Sequence, residues 1–187
     1  MKRFILIAAM ALSTAFAAVA ADGESNASEP IKAHFTNNGP RAIGGRFGYG
    51  AEVSYQHNLG KNFIEIDLGT PGWVALGIQA TAAYNFVLAQ PQWTPGTWTV
   101  YAGPGLQLGM QFGGPFDTRY FLMNIGVVGQ VGLSYRFEFP LELSVDLRPG
   151  LGGAFGSTTV EGERTPYGGF YFDYWNFIPS LGVRYAF

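Results

Sequence analysis

The chain has 187 residues, a net charge of −2, no cysteine, and only 13% charged side chains against 16% aromatics. That excludes a broad basic field for nucleic acid, a disulfide framework and a lipid-attachment cysteine. It also falls well short of the roughly one-quarter charged residues of an ordinary soluble domain, while 27 glycines and many rings suit a sheet whose outer face is not water.

The first residues, MKRFILIAAMALSTAFAAVAA, combine Lys2 and Arg3, an apolar run from Phe4 to Phe16 and small residues from Ala18 to Ala21. This predicts a secretory signal peptide over 1–21, cleaved after Ala20 or Ala21. Its apolar run is shorter than the ~20 residues of a membrane-spanning helix. Residues 22–30 are small, polar and acidic, as in a flexible periplasmic leader. From 31 to 187 the chain reads as one domain, and no helical periodicity interrupts it.

Residues 31–36 alternate, with Ile31, Ala33 and Phe35 on one face and Lys32, His34 and Thr36 on the other. They predict a first strand, followed by an Asn37-Asn38-Gly39-Pro40 turn. Residues 43–56 predict a second strand: Ile43, Phe47, Tyr49, Val53 and Tyr55 face one way, Arg46, Glu52, Ser54 and Gln56 the other. A tight turn over 57–61 follows. Residues 62–69 place Ile64, Ile66 and Leu68 on the apolar face and Glu65 and Asp67 opposite. Strands over 75–87, 97–110 and 122–135 repeat the pattern, with Gln79, Asn85, Tyr101, Gln107 and Gln130 on the polar face. After a turn over 136–140, residues 141–152 set Leu141, Leu143 and Val145 against Glu142, Ser144, Asp146 and Arg148. Residues 153–172 are expected to form the longest loop.

The last stretch, YWNFIPSLGVRYAF over 174–187, alternates throughout and ends on a ring. Val183, Tyr185 and Phe187 share its apolar face, and Arg184 lies on the other. This ending resembles the terminal-strand signal read by the outer-membrane barrel assembly machinery. YRFEFPLELSVDLRPG, 135–150, is similar to a turn-plus-strand of small, mostly uncharacterised outer-membrane barrel proteins. The resemblance implies an eight-stranded antiparallel up-and-down transmembrane β-barrel of the OmpA/OmpX type in the bacterial outer membrane. Its partners would be outer-membrane lipids and, during insertion, the assembly machinery.

An even strand number and two aromatic girdles agree with that class. Tyr55, Phe86, Trp98, Tyr135, Tyr185 and Phe187 would ring the periplasmic end, and Trp73, Phe112, Phe121, Trp175 and Phe177 the outer end. The loops near Asn38, Pro71, Pro115 and Gly162 would then lie outside, and the turns near Gly60, Pro91 and Phe137 inside. Alternation says only that the faces differ, so a soluble carrier with the apolar face inward is the rival fold.

Lys32, Arg46, Glu52, Glu65, Asp67, Glu142, Asp146, Arg148 and Arg184 share the polar face. Mixed signs in a narrow lumen should pair, because isolated buried charge is costly. That predicts a salt-bridge plug rather than a gated pore or an acid/base site. His34 and His57 have no serine motif beside them, no metal-ligand spacing occurs, and no cofactor motif is present. Tyr167, Phe170, Tyr171 and Phe172 are loop rings suited to an interfacial belt or to stacking on an extracellular sugar or lipid ligand. The expected role is structural or surface-interacting, without enzyme activity. The alternatives are a lipid-modifying enzyme with lateral lipid access and a narrow channel. The first rests on Pro149 and Pro179, which would face each other if Leu141 paired with Phe187. Neither supplies an N–H to the ladder, so the wall would be weakest there.

Overall fold

The computed structural model describes residues 41–73, 76–93, 95–113, 118–160, 162–173 and 175–187. Ten strands follow in chain order: β1 (Ala42–Phe47), β2 (Ala51–Leu59), β3 (Asn62–Gly69), β4 (Leu76–Ala89), β5 (Thr97–Gly113), β6 (Thr118–Arg136), β7 (Leu141–Leu147), β8 (Gly150–Val160), β9 (Glu163–Asp173) and β10 (Ser180–Ala186). Among the described residues there is no α-helix, only a 3-10 turn over Trp175–Phe177.

The strands pair in the order β5-β4-β3-β2-β1-β10-β7-β6-β8-β9, and β5 also pairs with β6. That last contact closes β1 to β7 and β10 into an eight-stranded antiparallel barrel. The row of paired residues from Ala42 runs through Gln56, Glu65, Ala83, Gly105, Val128 and Gly150 to Asp173. It does not return to Ala186, the residue opposite Ala42. The strands are therefore staggered around the ring, and stagger makes them tilt.

Two breaks divide what would otherwise be long strands. β7 and β8 keep one register against β6, with Val131 opposite Leu147 and Val128 opposite Gly150. Arg148 and Pro149 interrupt them. On the neighbouring strand, Ser180 faces Asp146 and Asp173 faces Gly150. Residues 174–179 thus span the gap that 147–149 cover opposite, three extra residues taken up by the 3-10 turn. An odd insertion flips the faces: odd residues of β9 follow the inward line, but even residues of β10 do. The break is tied by Arg148 N–H donating to Asn176 O at 3.0 Å and by Asn176 Nδ2 donating to Asp173 Oδ2 at 2.8 Å. Removing Trp175–Phe177 brings both halves into one register without changing which residues face inward. The deletion is expected to fold, losing about 1–2 kcal/mol with the Asn176 bond and the Phe172–Phe177 ring contact. Complete loss of the protease-resistant barrel would show that the insertion is structurally required.

Several sequence expectations change here. Residues 43–56 form two strands, not one, because the chain reverses at Gly48–Gly50, where Gly48 N–H donates to Gly50 O. The strand expected over 31–36, with Lys32 and His34, lies outside the described residues, as does the loop near Asn38. β1 already pairs on both sides, with β2 and β10, so eight strands close the ring without it. His57 belongs to β2, and the turn after it is only Gly60–Lys61, with Gly60 at a positive φ of 74°. The loop expected over 153–172 is the β8–β9 hairpin, turning at Gly162 with φ 88°. Residues 174–187 contribute one strand of seven residues rather than a continuous one. The prolines do not face each other: Tyr185, not Phe187, lies opposite Leu141, and Pro149 and Pro179 fall on the two sides of the break.

The rim is slanted. β1 has 6 residues, whereas β5 has 17 and β6 has 19. The paired hairpins β5–β6 and β8–β9 therefore stand well above β1 to β3 as one raised wall.

Candidate functional site: a charged plug inside an apolar wall

Alternation along every barrel strand sorts the side chains by polarity, and the polar set points inward. Ser54, Glu65, Asp67, Asn85 and Tyr101 are 0% exposed. Outside, Val53, Leu68, Leu76, Leu106, Ile125 and Leu181 are each half-exposed or more. This is the inverse of a soluble barrel's core, and it excludes the arrangement with apolar residues inward.

Inward glycines make the room. A Cβ on Gly132 would stand 2.5 Å from the Tyr101 ring and 2.7 Å from Asp146 Cβ. The ring of Tyr101 occupies the space that glycine leaves, edge-on to Phe63 at 5.1 Å between centroids.

Three buried guanidiniums organise the lumen. Arg46, on β1, meets Glu52 across the hairpin at 2.6 Å and Asp146, two strands away on β7, at 2.6 Å. Arg148, held at the break between β7 and β8, reaches Asp67 at 2.5 Å, Glu65 at 2.9 Å and Glu52 at 3.6 Å. Arg184, on β10, donates to Ser54 Oγ and Ser144 Oγ at 2.9 and 2.8 Å. Its Nη2 also sits 2.9 Å from Glu65 Oε1, and its Nη1 3.5 Å from Glu142. The former is a charge contact rather than an aligned hydrogen bond. Glu52 thus links Arg46 to Arg148, Glu65 links Arg148 to Arg184, and Glu142 continues the series. Every described member of the expected lumen set belongs to this one network; Lys32 lies outside the described residues.

Sequence reasoning missed several members. Arg136, expected in a turn, ends β6 and pairs with Glu142 at 2.6 Å. Gln56 and Gln130 donate to the two oxygens of Glu65 at 2.9 and 3.2 Å, and Asn85 donates to Gln130 at 3.3 Å. Their inward parity was visible, but uncharged amides gave no sign of whom they bond. Four guanidiniums face five carboxylates, and these amides and the Ser54 and Ser144 hydroxyls add hydrogen bonds to that network.

No family model matches the chain, and neither does any curated protein or solved structure. The chemistry must therefore be read from the geometry alone. Side chains fill the lumen: Arg148, Arg184, Gln107 and Gln130 are each no more than 2% exposed. Above them a small recess opens between Arg46, Tyr49, Glu52, Gln79, Asn176 and Ser180. Among the described residues, neither sets a histidine beside a serine; His57 instead meets Tyr55. Among the described residues no cluster of His, Cys, Asp or Glu is placed to hold a metal ion.

The outward-facing rings cluster toward the two ends of the barrel. At the end bearing Phe187, Trp93, Trp98, Tyr135, Phe137 and Phe139 form a continuous series with centroids 4.5–5.6 Å apart. Tyr135 Oη donates to Pro95 O, anchoring the series to its turn. Tyr185 and Phe187 stack nearby on the last strand. At the opposite end Phe112 faces Phe121 across β5 and β6, and Phe172 stacks on Phe177. Of the four ring residues expected in a loop, Phe170 and Phe172 extend the outer apolar face, with Phe170 73% exposed. Tyr167 and Tyr171 take the other face of β9, and a Cβ on Gly126 would lie 2.7 Å from the Tyr171 hydroxyl.

Proposed function

We propose that the chain is an integral outer-membrane barrel with a plugged lumen and a structural or surface-interacting role. The observation that carries this reading is the inverted polarity: charges paired inside, aliphatic side chains exposed around the wall, and rings at both ends. In water such a wall is an extended exposed apolar surface, which soluble monomers avoid. In a bilayer it is the expected solvent-facing surface, because a closed barrel satisfies its backbone internally. Tyr135 and Phe121, both on β6, are separated by roughly 35 Å along the barrel axis once strand rise is reduced by tilt. A hydrocarbon core of about 30 Å with rings at its boundaries has that dimension. The low side at β1 to β3 is met by tilt of the barrel or local thinning of the bilayer.

The signal-like start and the terminal Val183, Tyr185 and Phe187 supply the route to that membrane. A conducting lumen is the weaker alternative, since Arg148 and Arg184 occupy the axis with their carboxylates. The lipid-enzyme alternative loses its facing prolines. The test is refolding of the mature chain into liposomes. It is expected to float with the vesicles, resist carbonate extraction, show heat-modifiable gel mobility and give no steady conductance. A monodisperse, detergent-free folded protein would overturn the reading, and ohmic conductance would replace the plug with a pore.

A further inference from the structure

The raised wall carries a second, separate group of charges on its outer face. Arg119 on β6 lies opposite Thr159 on β8, and Thr159 lies opposite Arg164 on β9. The three therefore form one cross-strand row on one face of the sheet, with the two arginine Cα atoms roughly 10 Å apart. That face is the outward one, because Phe121, Met123, Ile125 and Val127 alternate with the inward residues of β6 and are exposed. Arg164 Nε donates to Ser157 Oγ at 3.0 Å, which turns its guanidinium back toward the apolar surface. Both arginines are exposed, and neither has a carboxylate partner among the described residues. Glu163, the nearest described acid in sequence to Arg164, takes the opposite face of β9.

Directly below the row, toward the barrel, the same face is apolar. Phe121 stands beside Ser157 and Pro166, Met123 beside Phe155, and Ile125 in line with Phe170. Two cations and two hydroxyls thus cap a ring-rich apolar strip. Such a strip fits acyl chains, and arginine forks fit the oxygens of a phosphate.

We infer that Arg119, Arg164, Thr159 and Ser157 form a clamp for the phosphate of a membrane lipid whose acyl chains run down the wall past Phe121, Phe155 and Phe170. This rests on the membrane reading above, and it adds a lipid headgroup class and a place. Arg119 and Arg164 hold the phosphate oxygens from two sides, and Thr159 donates its hydroxyl between them. The rings below fix the lipid's depth.

The test uses the refolded full mature chain in detergent, with native mass spectrometry of added lipid. The probes are phosphatidic acid, phosphatidylcholine and diacylglycerol with identical acyl chains, plus inorganic phosphate. Wild type is expected to retain phosphatidic acid at least tenfold more tightly than either other lipid. R119Q/R164Q should bring the three lipids within about twofold, while R119K/R164K keeps part of the preference. Arg41→Gln, an arginine at the other end of the barrel, should change nothing. Because the substituted side chains are exposed, gel mobility should show both double variants folded. Insertion into liposomes without any headgroup preference overturns the clamp and leaves the membrane reading standing. Failure to insert overturns both. Displacement of phosphatidic acid by equimolar inorganic phosphate overturns the lipid assignment in favour of a free anion.

Discussion

Arg148→Ala is expected to lower barrel stability by about 3–5 kcal/mol, the cost of leaving buried charge uncompensated. Arg148 contacts three carboxylates. Glu52 would keep Arg46, and Glu65 would keep Arg184. Asp67 would lose its only ion pair among the described residues while remaining 0% exposed. The loss therefore concentrates on Asp67, and that gives the experiment its control. Arg148→Ala/Asp67→Ala removes the stranded charge with its partner and should recover a good part of the destabilisation, as removing both members of a buried pair commonly does. The measurement is the urea midpoint of the refolded barrel for wild type, both single variants and the double. An unchanged midpoint in Arg148→Ala would mean that water reaches Asp67 and that the plug is wet. Additive losses in the double variant would mean that the two residues do not act as a pair.

The wall and the lumen were legible in the sequence because a two-residue period survives on every barrel strand. It assigned Arg46, Glu52, Glu65, Asp67, Glu142, Asp146, Arg148 and Arg184 to one face, and one network contains them all. The pairing was not legible. Arg46 meets Asp146 across 100 residues, and Arg184 meets Ser54 across 130. Such contacts are set by the stagger around the ring, which no local pattern carries. Period alone also misplaced element ends. Gly48, Tyr49 and Gly50 continue the alternation straight through a chain reversal, so the bend leaves no phase error. The β8–β9 hairpin escaped notice for the opposite reason. It rises beyond the barrel, most of β9 is exposed on both faces, and the contrast that marks a half-buried strand is absent. Near the end, the insertion that flips parity is built from Trp175, Asn176 and Phe177, which continue the apolar-polar alternation by composition. Arg136 was hidden by its place next to a proline-ended turn, although its pairing with Glu142 follows directly from the β6–β7 register.

Leu106→Arg is expected to cost about 2–4 kcal/mol when the barrel folds into a bilayer, as for a cation placed at the midplane on the lipid face. Leu106 lies near the middle of β5, 64% exposed, between Ala82 on β4 and Val127 on β6. It supports no hydrogen bond and fills no cavity, so in a water-soluble protein the same change would stay within about 0.5 kcal/mol. The two environments thus give different magnitudes for one substitution at one site. Depth sharpens the comparison. Phe121→Arg, near the upper ring group, should cost only about 0–1 kcal/mol beyond the lost ring, because the guanidinium can reach the headgroups there. Trp98→Arg should behave alike at the other end. Folding free energies into liposomes of fixed composition would supply the profile, highest at Leu106 and falling toward both ends. A flat profile would mean that the exposed aliphatic wall does not face hydrocarbon, and the membrane reading would fail at its physical root.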